Sequence, residues 1–161
     1  MSHNHEHRLG TEAPHGHLKQ GLSAIGFAVI WILDSFIFSF STVLNSVIPW
    51  IVRLIWFIIL IAIAYLFIRA SHNVLFRQPE NKNDLITDGI LGHTRHPMYF
   101  GVLLIYLACI FLSISLIAIG LWIVIIVIYD KLATFEEKQL ENLFGDKYLE
   151  YKKKVPKWIP R

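Results

Sequence analysis

Charge is what this chain has least of. Only 17% of its 161 residues are Asp, Glu, Lys or Arg, against about 25% in soluble domains. Apolar residues make up 55% and aromatics 14%, and the mean hydropathy is +0.51. Such a chain is neither a freely soluble globule nor a disordered polymer. One cysteine, Cys109, excludes an internal disulfide and with it the small secreted scaffolds. A net charge of +3 is too thin for the basic face of a nucleic-acid binder. Residues 1–20 also lack the basic, apolar and small-residue progression of a cleavable signal peptide.

The charges that exist are segregated. Between Gly21 and Ile68 there are only Asp34 and Arg53, and between Met98 and Tyr129 there are none. A bilayer core takes about 20 apolar residues per helix and excludes lipid-exposed irregular backbone. Spans are therefore expected at Leu22–Phe40 and Ile48–Ile68, with a turn at Leu44-Asn45-Ser46. The 32 residues from Met98 to Tyr129 would make one helix of roughly 48 Å, too long for a core of about 30 Å. A hairpin broken near Ser113-Ile114-Ser115 fits better. The expected fold is an all-α integral membrane protein with about four transmembrane helices, the last two a tight hairpin, followed by a cytoplasmic amphipathic helix. In domain terms this gives a His-rich tail (1–20), an N-terminal two-helix hairpin (21–70) and a core (71–161).

With four spans, both ends of the chain and the 69–97 loop share one side, which carries fourteen of the fifteen Lys and Arg residues. The positive-inside rule places that side in the cytoplasm. Asp34 and Arg53 would lie at similar depth in the first hairpin, and an ion pair between them is the expected resolution of two intramembrane charges. His3, His5, His7, His15 and His17 have metal-binding spacing, but no Cys or carboxylate cluster completes a site, and no metal is expected.

Chemistry gathers in two places. In the first, Asp88-Gly89 marks a turn, and Pro97 suits the first position of a helix. His96 and Tyr99 then stand at a helix N-terminus at the membrane surface, where orphan N–H groups favour an anion. In the second, Lys131–Phe144 continues the last span as a helix whose apolar stripe uses Leu132, Leu140 and Leu143. Glu136 falls on that stripe and Glu137 on a more polar arc, so Glu136 is the carboxylate expected to need a partner or a ligand. Arg95 is a candidate structural partner. Gly145 ends that helix. In the basic, aromatic tail that follows, Lys152-Lys153-Lys154 and Trp158 are expected to rest on anionic headgroups.

The order Thr87-Asp88-Gly89-Ile90, Arg95-His96-Pro97-Met98-Tyr99, an apolar hairpin, Glu136-Glu137 and Phe144-Gly145-Asp146-Lys147-Tyr148 resembles the isoprenylcysteine carboxyl methyltransferase family over residues 83–156. Phospholipid N-methyltransferases and some sterol reductase tails are similar over the same region. The resemblance implies a membrane enzyme using S-adenosyl-L-methionine. Leu85, Ile86, Gly89, Leu91, His96, Pro97, Met98, Tyr99 and Glu136 would bind the cofactor, with His96 and Glu136 as the catalytic pair. Lys131 and Leu132 would stand at the acceptor position, and a lipophilic acceptor would enter from the bilayer. His96 is expected to contact the cofactor, with a general-base role as the alternative. One position departs: relatives carry an Arg where this chain has Leu132, and a leucine cannot neutralise an acceptor carboxylate. The acceptor is therefore open among a prenylcysteine carboxylate, a phospholipid amine, a thiol and a small lipophile. Two other function classes stand beside this one. One is a non-enzymatic membrane scaffold or metal-binding protein acting through its His-rich tail. The other is an NADPH-dependent reductase, against which the lack of a nucleotide-binding glycine motif counts.

Overall fold

A computed structural model of the chain describes residues 15–75 and 85–160. Among these residues every regular element is a helix. Helix α1 (Gly16–Ile32) runs on as a π-helical turn, Leu33–Phe38, and a short 3-10 turn, Val43–Ser46, leads to α2 (Trp50–Leu75). A second 3-10 turn, Gly89–Gly92, precedes α3 (Pro97–Ser113), α4 (Leu116–Phe144) and α5 (Asp146–Lys154). Three helical stretches are long and apolar enough to cross a membrane: Gly16–Phe38, Trp50–Val74 and Leu116–Phe144. With 17 residues, α3 is the shorter apolar helix beside them. This is an all-α membrane protein, and the exposed Ile, Leu, Phe and Trp of α1 and α2 are what a lipid-facing surface requires.

The helix boundaries follow local chemistry. Pro97 opens α3, where a missing N–H costs nothing. The break expected at Ser113-Ile114-Ser115 is present: Ile114 adopts a left-handed conformation (φ 42°), and the Ser115 side chain caps α4 by accepting from the Ala118 N–H. A β-branched residue in that conformation costs about 1–2 kcal/mol, so the surrounding hydrogen bonds must hold it. Gly145, at φ 55°, separates α4 from α5. The second helix extends past the expected Ile68 to Leu75, because Arg69 and His72 extend it as a polar end.

Packing places α3 at the centre, with α2 on one flank and α4 on another, and α1 lies chiefly on α4. The α2–α3 contact is close because Gly101 faces Ala64. A Cβ at Gly101 would stand 2.8 Å from Ile68 Cγ1 and 3.1 Å from the Ala64 carbonyl. Close approach through small residues is how helices associate where lipid competes for every apolar surface. On the other side, Phe27, Leu103, Tyr106, Ile110, Ala118, Ile125 and Tyr129 form the core. There the Phe27 and Tyr106 rings lie 4.7 Å apart.

The expected Asp34–Arg53 pair does not form. The π-helical turn sets Asp34 against the α3–α4 turn instead. Its carboxylate accepts from the Ser41 N–H, the Ser41 hydroxyl and the Ser115 hydroxyl. Arg53 donates to Asn45 Oδ1 (2.7 Å) and to the Leu112 carbonyl (2.9 Å). That carbonyl lies in the last turn of α3, where orphan acceptors and the helix dipole both favour a cation. The turns of both helical pairs thus meet at one end of the bundle, where the Leu116 N–H also reaches the Ser41 carbonyl at 3.3 Å.

Candidate active site

The opposite end of the bundle is built from three segments that are distant in sequence. The first is the loop before α3. Gly89 takes φ +60°, and its Cα faces Val74 so closely that an added Cβ would stand 3.1 Å from Val74 Cγ2. This seats the 3-10 turn on the end of α2. Thr94, fully buried, donates its hydroxyl to the carbonyls of Lys157 and Trp158, and the Arg95 N–H donates to the Pro156 carbonyl. The second segment, residues 155–160, is therefore strapped to the loop. The third is the last four turns of α4, carried past Tyr129 as one continuous helix.

His96, the N-cap residue of α3, sits where the three meet and is 8% exposed. Its Nε2 lies 3.1 Å from Glu137 Oε1, and its Nδ1 faces Glu136 Oε2 at 3.8 Å. Consecutive residues on a helix point about 100° apart, so the two glutamates approach the imidazole from different sides. Tyr99, one turn into α3, stacks on the imidazole at 5.8 Å with the planes 7° apart and donates its hydroxyl to Glu136. Trp158 lies 5.8 Å from the same ring, and Tyr129 stands edge-on to Tyr99 at 5.3 Å. Gln20 of α1 adds a 3.3 Å contact to the Tyr99 hydroxyl.

The buried carboxylate is Glu137, which corrects the expectation drawn from the apolar stripe. Glu137 is 3% exposed, whereas the Glu136 side chain is 20% exposed. Beyond Tyr129, helix α4 faces the loop and α5, and the covered face runs Tyr129, Leu132, Ala133, Glu137. Glu137 is tolerated there because Arg95 Nη2 lies 3.1 Å away and Lys152 Nζ 3.4 Å away. The i, i+3, i+4, i+8 spacing of that face was readable in the sequence, but a carboxylate on it is legible only once its cations are known.

Of the residues expected on headgroups, Lys152 and Trp158 instead make contacts within the protein, while Lys153 and Lys154 are exposed. Lys152 joins Glu141 as well as Glu137, and the hydrogen bond it donates to Glu141 holds its ammonium above the usual lysine range. Lys157 reaches the Asp130 carboxylate and the Thr134 hydroxyl, while the Trp158 indole N–H donates to Asp130 at 3.1 Å. Trp158 thus faces the site. Burial pushes the Tyr151 hydroxyl up to about 12, and that hydroxyl donates to the Leu91 carbonyl at 2.6 Å. Burial also lowers the His96 imidazole below its ordinary 6.5, against the opposite pull of Glu137.

Of the residues singled out from sequence, His96, Pro97, Tyr99 and Glu136 come together around the imidazole. Leu85, Ile86, Leu91 and Met98 are half-buried near the same end, with Gly89 exposed on the turn. Lys131 is exposed and Leu132 is 3% exposed among core side chains, and no hydrogen bond or ion pair joins Lys131 to the imidazole cluster among the described residues. His3, His5 and His7 lie outside the described residues, and among the described residues no group of three His, Cys, Asp or Glu side chains is arranged to hold a metal ion.

The sequence profile of phospholipid methyltransferases matches residues 48–147, from the start of α2 into α5. The chain belongs to the phospholipid methyltransferase family. The matched region includes the loop, His96 and both glutamates. Among relatives, the chain is 38% identical over 96 residues to protein-S-isoprenylcysteine O-methyltransferase of Schizosaccharomyces pombe, covering 56% of this chain and 38% of that one. It is 30% identical over 91 residues to protein-S-isoprenylcysteine O-methyltransferase B of Arabidopsis thaliana, covering 56% and 46%. An uncharacterized protein of Haemophilus influenzae is 44% identical over 63 residues, which is all of that protein and 38% of this chain. The chain therefore spans less than half the length of either isoprenylcysteine methyltransferase. No solved structure matches it significantly.

Proposed function

We propose that the protein is a membrane-embedded methyltransferase that uses S-adenosyl-L-methionine and acts on a lipophilic acceptor reaching the site from the bilayer. The observation that carries this reading is the convergence of His96, Tyr99 and Glu136 at one end of α3 and α4, in a member of this family. The residues fit a cationic donor. Glu136 is a partly exposed carboxylate, and Tyr99 and Trp158 offer aromatic faces, the two kinds of group that recognise a sulfonium or an ammonium. When bound, the donor supplies an electrophilic methyl group whose transfer leaves a neutral thioether. Glu136 and Tyr99 bind and orient, His96 makes a polar contact, and the aromatic walls exclude water. Positioning of this kind supplies much of the rate in a bimolecular displacement.

Leu132, buried where the family resemblance implies an arginine, favours an acceptor without a carboxylate, and a phospholipid amine is the second reading. Four spans with the site, the loop and both ends of the chain in the cytoplasm follow from the segregation of lysine and arginine. Calorimetry with S-adenosylhomocysteine tests the site: binding to the intact protein, and its loss in Glu136→Ala and His96→Ala, is expected. Equal affinity in all three would remove it. Methyl-labelled donor with native membrane extract would identify the acceptor. Deleting residues 1–14, which takes away His3, His5 and His7 but keeps α1 and Gln20, leaves donor binding intact in an enzyme and impairs a metal-handling tail.

A further inference from the structure

Glu137 has no part in the cofactor contacts assigned above, yet it is the most buried carboxylate at this end of the molecule. Its Oε1 receives both Arg95 Nη2 and His96 Nε2 at 3.1 Å, and its Oε2 faces Lys152 Nζ at 3.4 Å. Guanidinium and ammonium groups only donate, so the carboxylate between them only accepts. The shared hydrogen atom on the His96 side must then sit on Nε2. In a neutral imidazole, that leaves the lone pair on Nδ1.

We propose that Glu137 is a positioning residue: clamped by Arg95 and Lys152, its carboxylate fixes the buried His96 ring in the Nε2–H tautomer and presents an unprotonated Nδ1 to the side where Glu136 and Tyr99 stand. The separation of Nδ1 from Glu136 Oε2, 3.8 Å, is longer than a hydrogen bond and agrees with a lone pair facing a carboxylate. Three further features keep the ring neutral. It is buried, it stands at the positive end of the α3 dipole, and Arg95 and Lys157 both disfavour its protonation. The opposing groups are Glu136 and Glu137 on α4, with Asp130 further along the same helix. Tyr99 and Trp158 cover the ring faces. The inference rests on the methyltransferase reading only for the use of Nδ1, as a hydrogen-bond acceptor turned toward the cofactor space.

Protein carrying 15N-labelled histidine, reconstituted in nanodiscs and titrated with acid, reports the tautomer directly, and the His96 signal is identified by its loss in His96→Gln. The expected wild-type signature at neutral pH is a neutral ring protonated at Nε2 alone. Glu137→Gln retains an acceptor oxygen but removes the charge, so the tautomer persists and the titration midpoint moves to lower pH. Glu137→Leu gives a mixture of tautomers, and if that variant fails to fold, the Gln variant carries the test. A doubly protonated ring at neutral pH, a ring protonated at Nδ1, or a Gln variant titrating like wild type would each overturn the proposal. Calorimetry with S-adenosylhomocysteine on the same samples separates the two readings. The expected tautomer without ligand binding sinks the cofactor site and leaves the positioning role, whereas ligand binding with an uncontrolled tautomer does the reverse.

Discussion

The two ends of the helix bundle handle charge in opposite ways. At the turn end, Asp34 and Arg53 are each satisfied by neutral groups: hydroxyls and an N–H for the acid, an amide oxygen and a helix carbonyl for the base. At the other end, Arg95, Glu137, Lys152 and Glu141 satisfy one another in a chain, with His96 inserted between two carboxylates. The first arrangement closes turns and orients two helical pairs. The second holds more ionisable groups than any turn requires, concentrated around one imidazole and flanked by aromatic rings. That concentration of ionisable and aromatic groups is why the proposed site lies at the second end.

Mutations at the two ends should separate stability from binding. The largest expected effect is Glu137→Ala, which strands the Arg95 guanidinium, 9% exposed, and costs about 3–5 kcal/mol. Lys152, whose side chain is 38% exposed, adds little because solvent screens it. Thermal unfolding in detergent would check this, and a loss below 1 kcal/mol would mean that the clamp is not structural. Next, Gly101→Ala forces a Cβ against Ile68 and the Ala64 carbonyl and should destabilise the α2–α3 contact by about 1–3 kcal/mol.

At the turn end, Asp34→Ala leaves two hydroxyls and an N–H without their acceptor, for about 1–3 kcal/mol. Affinity for S-adenosylhomocysteine should not change, and weakened binding would erase the division between the two ends. Glu136→Ala is the mirror image, with loss of ligand binding and an unfolding temperature near that of wild type.

The smallest effect is the pH dependence from His96. Its native value lies below the ordinary 6.5, so the unfolded state binds the proton more readily. The stability associated with a neutral His96 is complete above 6.5 and is lost as pH falls from there through the lower native value. Comparing unfolding across that window in wild type and His96→Gln should show a shallower slope in the variant.

Much of this was legible in the chain. Long uncharged runs imply membrane helices because a bilayer leaves the backbone no other partner. Pro97, Gly145 and the serines around Ile114 mark the breaks because each changes what the backbone can do locally. The sequence does not reveal that Asp34 and Arg53 take separate partners, because equal depth in a hairpin says nothing about which way a π-helical turn rotates a side chain. The apolar stripe of Leu132, Leu140 and Leu143 points to Glu136 as the buried carboxylate, but the structure buries Glu137. Past the membrane, that face is set by α5 and the loop, which bring cations to Glu137. Trp158 reads from sequence as a bilayer-surface residue because its hydrogen-bond partner, Asp130, is 28 residues away in the chain.

The amino-acid order alone thus determined the helices, their breaks, the medium they occupy and the family motif, since all of these depend on neighbours in the chain or on solvent. Only the folded arrangement decided which glutamate is buried, which nitrogen of His96 meets it and which face Trp158 covers. Those outcomes depend on electrostatic partners brought together from three separate segments, and no local pattern encodes such a meeting.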